Sequence, residues 1–216
     1  MPQSARTVFA NAKKLYIGAP GLRNYRAGFK LLKKAAAMGH VGAHEWLGAM
    51  YDYGLGTRPS RRLAFTHYKI AADARQPGAE YHVGVFYYLG RAVPRDYGMA
   101  VQWLRKSASH GDYTAIYWLG QCYLHGWAVA GNRKKGFRLL LAAANKRVIE
   151  AQYAVGVCYE RGQGVRSDPK KAFRWFLKAA KRGCQDAARS LARLYECGNG
   201  TALNRRRAEY WYKRGS

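Results

Sequence analysis

The side chains in this sequence that could move a proton, hold a metal or attack a carbon are six histidines, four cysteines and twelve acidic residues. Their spacing builds none of the arrangements that such chemistry needs. There is no HExxH pair to grip zinc from one helix face, no phosphate-cradling P-loop, no GxSxG nucleophile turn and no Cys–His ligand spacing. Cys122, Cys158, Cys184 and Cys197 contain no CxxC pair. The glycine-rich piece Gly162-Gln163-Gly164 ends a helical pattern instead of following a strand, which excludes a dinucleotide-binding reading. No catalytic residue, metal or cofactor is expected.

Charge points elsewhere. Thirty-eight Lys and Arg stand against twelve Asp and Glu, a formal balance of +26, which attracts polyanions and acidic proteins. A hydrophobic content of 49% excludes intrinsic disorder, and 216 residues suffice for a sizeable core. The first 21 residues lack the apolar run of a secretory signal, and nowhere do about 18 apolar residues follow one another. The expectation is a chain with no membrane span, in the cytoplasm with its thiols reduced.

One offset aligns the chain with itself. Ala43, Ala79, Ala115, Ala151 and Ala187 are each 36 apart, as are Leu47, Val83, Leu119, Val155 and Leu191, and Tyr51, Tyr87, Tyr123, Tyr159 and Tyr195. The three series fall at i, i+4 and i+8, one face of a helix. Gly48, Gly84, Gly120 and Gly156 beside them, with Ala192 as the exception, mark close helix approach. Gly54, Gly90, Gly126, Gly162 and Gly198, preceded by Gly18, are expected to end this helix, A, in the left-handed conformation. Asn24, Ser60, Asp96, Asn132, Asp168 and Asn204 recur at the same period and predict the N-caps of a second helix, B, with Pro169 in a favoured first position. Helix B closes on pairs of small residues such as Ala71-Ala72 and Ala143-Ala144. The histidines occupy non-equivalent repeat positions, and His67, standing where Trp103 and Trp175 stand, reads as a half-buried core residue.

Residues 151–183, AQYAVGVCYERGQGVRSDPKKAFRWFLKAAKRG, resemble a Sel1-like repeat, and the resemblance covers essentially residues 5–216. It departs from the pattern locally in the first repeat, around Thr7 and Asn11, and in the fourth, at WAVAGNRKKG. It implies an all-α fold, a right-handed α/α superhelix of about six helix–turn–helix repeats in one solenoid domain spanning 1–216. Approximate repeats are 5–40, 41–76, 77–112, 113–147, 148–183 and 184–216.

If tetratricopeptide-like geometry carries over, helix A lines a concave groove. The places not used in stacking then present Glu45, Tyr81, Tyr117, Tyr153 and Arg189, followed by Gln121 and Arg193 one turn on, with Tyr88 on the rim. Tyrosine combines contact area with few rotors, as binding hot spots do. Two readings stand: a partner-binding groove, or aromatic packing between neighbouring helices. Two residues after the N-cap come Arg26, Arg62, Gly98, Lys134, Lys170 and Arg206. Five cations thus oppose the positive end of a helix dipole. They form either a binding edge or a solvated face.

The resemblance implies a non-enzymatic scaffold, adaptor or inhibitor holding a protein or peptide, the basic edge steering an acidic partner; some bacterial relatives are immunity proteins that neutralise a secreted toxin. RNA or DNA binding through the basic edge is the alternative. The sixth helix B ends in Trp211-Tyr212 without a polar capping helix, where pairing with a second copy is expected if apolar surface is exposed.

Overall fold

The structure is a computed structural model that describes residues 4–17 and 23–216; Gly18 lies outside them. Among the described residues there are twelve helices and no strand. In order they are α1 (Ala5–Ile17), α2 (Tyr25–Ala37), α3 (Val41–Tyr53), α4 (Arg61–Asp73), α5 (Pro77–Leu89), α6 (Tyr97–Ser109), α7 (Tyr113–His125), α8 (Arg133–Asn145), α9 (Ile149–Arg161), α10 (Pro169–Ala180), α11 (Gln185–Cys197) and α12 (Arg205–Gly215). Odd-numbered helices are helix A of a repeat and even-numbered ones helix B. The helices divide between two compact units, Met1–His110 with α1–α6 and Gly111–Ser216 with α7–α12.

The caps explain why the helices start and stop where they do. All six residues of the helix-B series accept a hydrogen bond through the side chain from an amide in the first turn, as Asp168 does from Lys171 and Asn204 from Arg207, both at 2.9 Å. Their own amides donate back to helix A, five of them to the repeating tyrosine: Ser60 to Tyr51, Asp96 to Tyr87, Asn132 to Tyr123, Asp168 to Tyr159 and Asn204 to Tyr195, at 2.8–3.0 Å. One residue therefore both opens helix B and pins it to the end of helix A. The five described helix-A glycines have φ between 67 and 75° and stop the helix as expected.

Packing inside each unit follows the period. Leu32, Tyr68, Leu104, Leu140 and Phe176, each 36 residues from the next, are fully buried on helix B. Four of them lie on the small-residue series: a Cβ added at Gly48 would come within 2.6 Å of Tyr68, and one at Gly156 within 2.6 Å of Phe176. A further series joins successive repeats. Phe29, Phe65, Phe137 and Phe173 of helix B meet Tyr51, Tyr87, Tyr159 and Tyr195 of the next helix A edge to face, with centroids 5.3–5.5 Å apart. Each such pair contributes about 0.5–1.5 kcal/mol beyond its buried area.

The turn from helix B into the next repeat needs one residue at positive φ. Gly39, Gly111 and Gly183 supply it at φ 82, 85 and 89°, but Arg75 and Arg147 occupy the same place at 60 and 68°. For an L-residue this conformation costs about 1–2 kcal/mol.

Candidate functional site

The residues predicted to face a groove are not alike in their surroundings. In the first unit Glu45 is half-buried, and burial raises its carboxyl above the usual range, opposed by Lys13. Its Oε1 lies over Gly78, in the first turn of α5. Tyr81 is half-buried with its ring 5.0 Å from that of His82, and Tyr88 meets Tyr97 edge to face. In the second unit Tyr117 and Tyr153 pack on the edges of adjacent core clusters. Gln121 donates to the Tyr117 hydroxyl at 3.2 Å, burial raises the Tyr117 phenol, and the Tyr153 ring lies 5.6 Å from Phe176. These two tyrosines are half-buried, with their rings against the core.

The two arginines of the same series are exposed and engaged. Arg189 pairs with Asp186 at 2.5 Å and donates to the Gly215 carbonyl at 3.0 Å, closing the end of α12. Arg193 pairs with Glu160 of the preceding repeat. The sixth helix B is held to α11 by Tyr212, which donates to Glu196 at 2.9 Å, and by the buried Trp211, while Tyr210 and Tyr212 keep exposed rings there.

The basic series divides into two kinds of cation. Arg26, Arg62, Lys134, Lys170 and Arg206 are all exposed, and among the described residues none is paired with a carboxylate. The cation one residue further on behaves differently. Lys135, Lys171 and Arg207 lie over the rings of Tyr123, Tyr159 and Tyr195 at 4.2, 5.5 and 5.6 Å, and Lys135 and Arg207 also donate to those hydroxyls. This second series packs helix B onto helix A, leaving the first without a packing role. A cavity of about 550 Å³ opens beside it in the second unit, lined by Tyr159, Arg166, Asp168, Lys170, Lys171 and Asn199 among others.

One cluster escaped the sequence. His44 and His67 bring their Nδ1 atoms within 2.9 Å, so one ring donates and the other accepts, and His67 stacks on Tyr51. Burial first, then His44 and Lys33, lowers His67 to about 4. The two positions are not equivalent in the repeat, so periodicity carries no trace of the pair. The cysteines are all free. Burial pushes the Cys122 thiol up to about 11 and Cys158 up to about 12, far from reactive thiolates. Among the described residues no group of three or more His, Cys, Asp or Glu could hold a metal ion, and no helix is long and apolar enough to cross a membrane.

Capped helical hairpins of one length, stacked through a repeated aromatic pair, define a helical-repeat solenoid. The Sel1 repeat model matches residues 15–40, 41–75, 77–112, 114–147, 149–184 and 185–216, and the chain belongs to the Sel1 repeat family. No curated protein matches it. Among solved structures, it is similar to a Sel1 repeat protein from Oxalobacter formigenes, with 26% identity over 96% of this chain and 81% of that one and a TM-score of 0.82. The crystal structure of c5321, a protective antigen of uropathogenic Escherichia coli, matches with 25% identity over 98% of this chain and a TM-score of 0.75. The chain spans only 45% of that antigen. Immunity protein Pa5087 from Pseudomonas aeruginosa shares 22% identity over 100% of this chain and 83% of its own, with a TM-score of 0.61, a likeness of fold. Sel1 repeats generally mediate protein interactions.

Proposed function

We propose that the chain is a non-enzymatic scaffold that holds a protein or peptide against the helix-A surface and uses its basic edge to steer an acidic partner. The observation that carries this is the pair of cation series. One series is committed to tyrosine rings, while Arg26, Arg62, Lys134, Lys170 and Arg206 have neither ring nor carboxylate to explain them. Cations that work against the helix dipole and pack on nothing are accounted for by a negatively charged surface meeting them. Neutralising a secreted toxin is one form of such a scaffold, and two similar Pseudomonas aeruginosa structures are of immunity proteins.

RNA or DNA binding draws on the same five cations, but the tyrosines beside three of them are already covered by Lys135, Lys171 and Arg207, which leaves fewer rings along that edge for base stacking. The test is affinity capture from the native cells with the unaltered chain and with Lys134→Glu/Lys170→Glu/Arg206→Glu. The expected result is an acidic protein retained by the first, lost by the second and insensitive to nuclease, with equal helical circular dichroism. Equal retention by both, or material removed by nuclease, overturns the proposal.

A further inference from the structure

We infer that the first unit carries a socket for a basic side chain, arginine or lysine, presented by a protein partner. The socket is a cavity of about 550 Å³ where α4, α5 and α6 meet, and it is lined by Asp73, Arg75, Glu80, Trp103, Lys106 and His110 among others. Two of its buried polar atoms lack a hydrogen-bond partner. Glu80 is 2% exposed and its Oε2 accepts no hydrogen bond; the His110 imidazole, its Nε2 3.7 Å away, pairs with it only when protonated and stands beyond hydrogen-bond reach. Trp103 is 6% exposed, and its Nε1 is buried with no acceptor. A buried carboxylate without a donor costs several kcal/mol, and unsatisfied groups of this kind call for an explanation.

Three of the surrounding charges are engaged, while Arg75 and His110 complete the charged lining. Asp73 is held by Lys69 at 2.5 Å, and Lys69 and Lys106 lie over the Trp103 ring at 5.1 and 3.9 Å. The buried atoms left without hydrogen bonds are an acceptor, Glu80 Oε2, and a donor, Trp103 Nε1. A metal ion or a simple amine offers nothing to the indole. A basic residue within a polypeptide offers both complements: its ammonium or guanidinium donates to Glu80, and its main-chain carbonyl accepts from Trp103.

The second unit contains the same cavity in altered chemistry. Residues 72 positions on, Ala144, Asn145, Arg147, Gln152, Trp175, Lys178, Lys181 and Arg182, line a cavity of about 370 Å³. Ala72, Arg75, Trp103 and Lys106 recur there unchanged, and Lys178 lies 4.1 Å over Trp175 as Lys106 lies over Trp103. The carboxylates do not recur: Gln152 replaces Glu80 and Asn145 replaces Asp73, while Arg182 replaces His110 and donates to the Arg147 carbonyl. Gln152 is buried, and its amide nitrogen donates to the Ala144 carbonyl at 3.3 Å while its Oε1, like Glu80 Oε2, accepts no hydrogen bond. The shape is therefore general and the carboxylate is particular to the first unit. The chain itself shows that glutamine is accommodated at this position.

The inference rests on the scaffold reading, but its test needs no identified partner. The chain labelled with ¹⁵N at tryptophan is titrated with N-acetyl-arginine methylamide, N-acetyl-lysine methylamide and N-acetyl-glutamate methylamide, and the indole N–H signals are followed by NMR. One signal, assigned by its loss in Trp103→Phe, is expected to shift with the basic compounds at millimolar concentration and to stay fixed with the glutamate compound. Glu80→Gln is expected to weaken this binding at least about tenfold, the worth of a charge-assisted hydrogen bond, and to leave the urea midpoint unchanged or raised. No shift, an equal shift in Glu80→Gln, or an equal response to the glutamate compound overturns the socket. So does a lowered urea midpoint, which would assign Glu80 a structural role. Any of these results leaves the basic-edge proposal, tested by charge reversal, untouched.

Discussion

His67 illustrates how one side chain can hold a place in the repeat and still depart from it. Tryptophan stands at the same position in three other repeats and leucine in two, and the imidazole fills that place by stacking on Tyr51. The half-buried position was legible from the series; the hydrogen bond to His44 was not, because it joins two non-equivalent sites. With the folded-state value lowered to about 4, the imidazole stays neutral in the native chain where the unfolded chain protonates it, below about 6.5. The unfolded state then binds more protons, so stability falls as pH drops from 6.5 to 4 and levels off below. The urea midpoint of the unaltered chain is expected to decline through that window. His67→Leu is expected to flatten the decline, and an identical pH profile for both would refute this account.

Elements were the most legible level, because caps and close approaches require particular residue types. A side-chain oxygen at the N-cap and glycine at positive φ each satisfy a local demand, so the series in the sequence could be read directly as helix boundaries. The edge-to-face pairs were harder to see. Phe29, Phe65, Phe137 and Phe173 share the period, but Val101 interrupts them, and nothing local marks which tyrosine each ring meets. The small-residue series carries its own prediction. Gly156→Ala improves helix propensity by about 1 kcal/mol, yet its Cβ would sit 2.6 Å from the fully buried Phe176 ring. Overpacking of this kind costs typically 1–3 kcal/mol, so a net loss of about 1 kcal/mol is expected in denaturant unfolding. An unchanged midpoint would mean that α9 and α10 can separate freely.

For the whole molecule, a charge of +26 on 216 residues means that the native chain repels itself. Raising ionic strength from about 0.01 to 0.15 M shortens the screening length from about 30 to 8 Å, and the thermal midpoint is expected to rise over that range. A fall would show that the few surface ion pairs outweigh the repulsion. The binding surfaces were only partly legible at this scale. The exposed cations declared themselves by period, but the distinction between Lys170, which is free, and Lys171, which covers Tyr159, depends on side-chain direction. The socket was hidden for a related reason, since its residues come from two successive repeats and recur every 72 positions, not every 36. Arg75 and Arg147 stand where the neighbouring turns carry glycine, and each marks one of these cavities. A lineage that lengthened such a chain by copying single hairpins would multiply the stack without multiplying the cavity. Each cavity forms between two successive hairpins, and its spacing of 72 residues is twice the period of the fold.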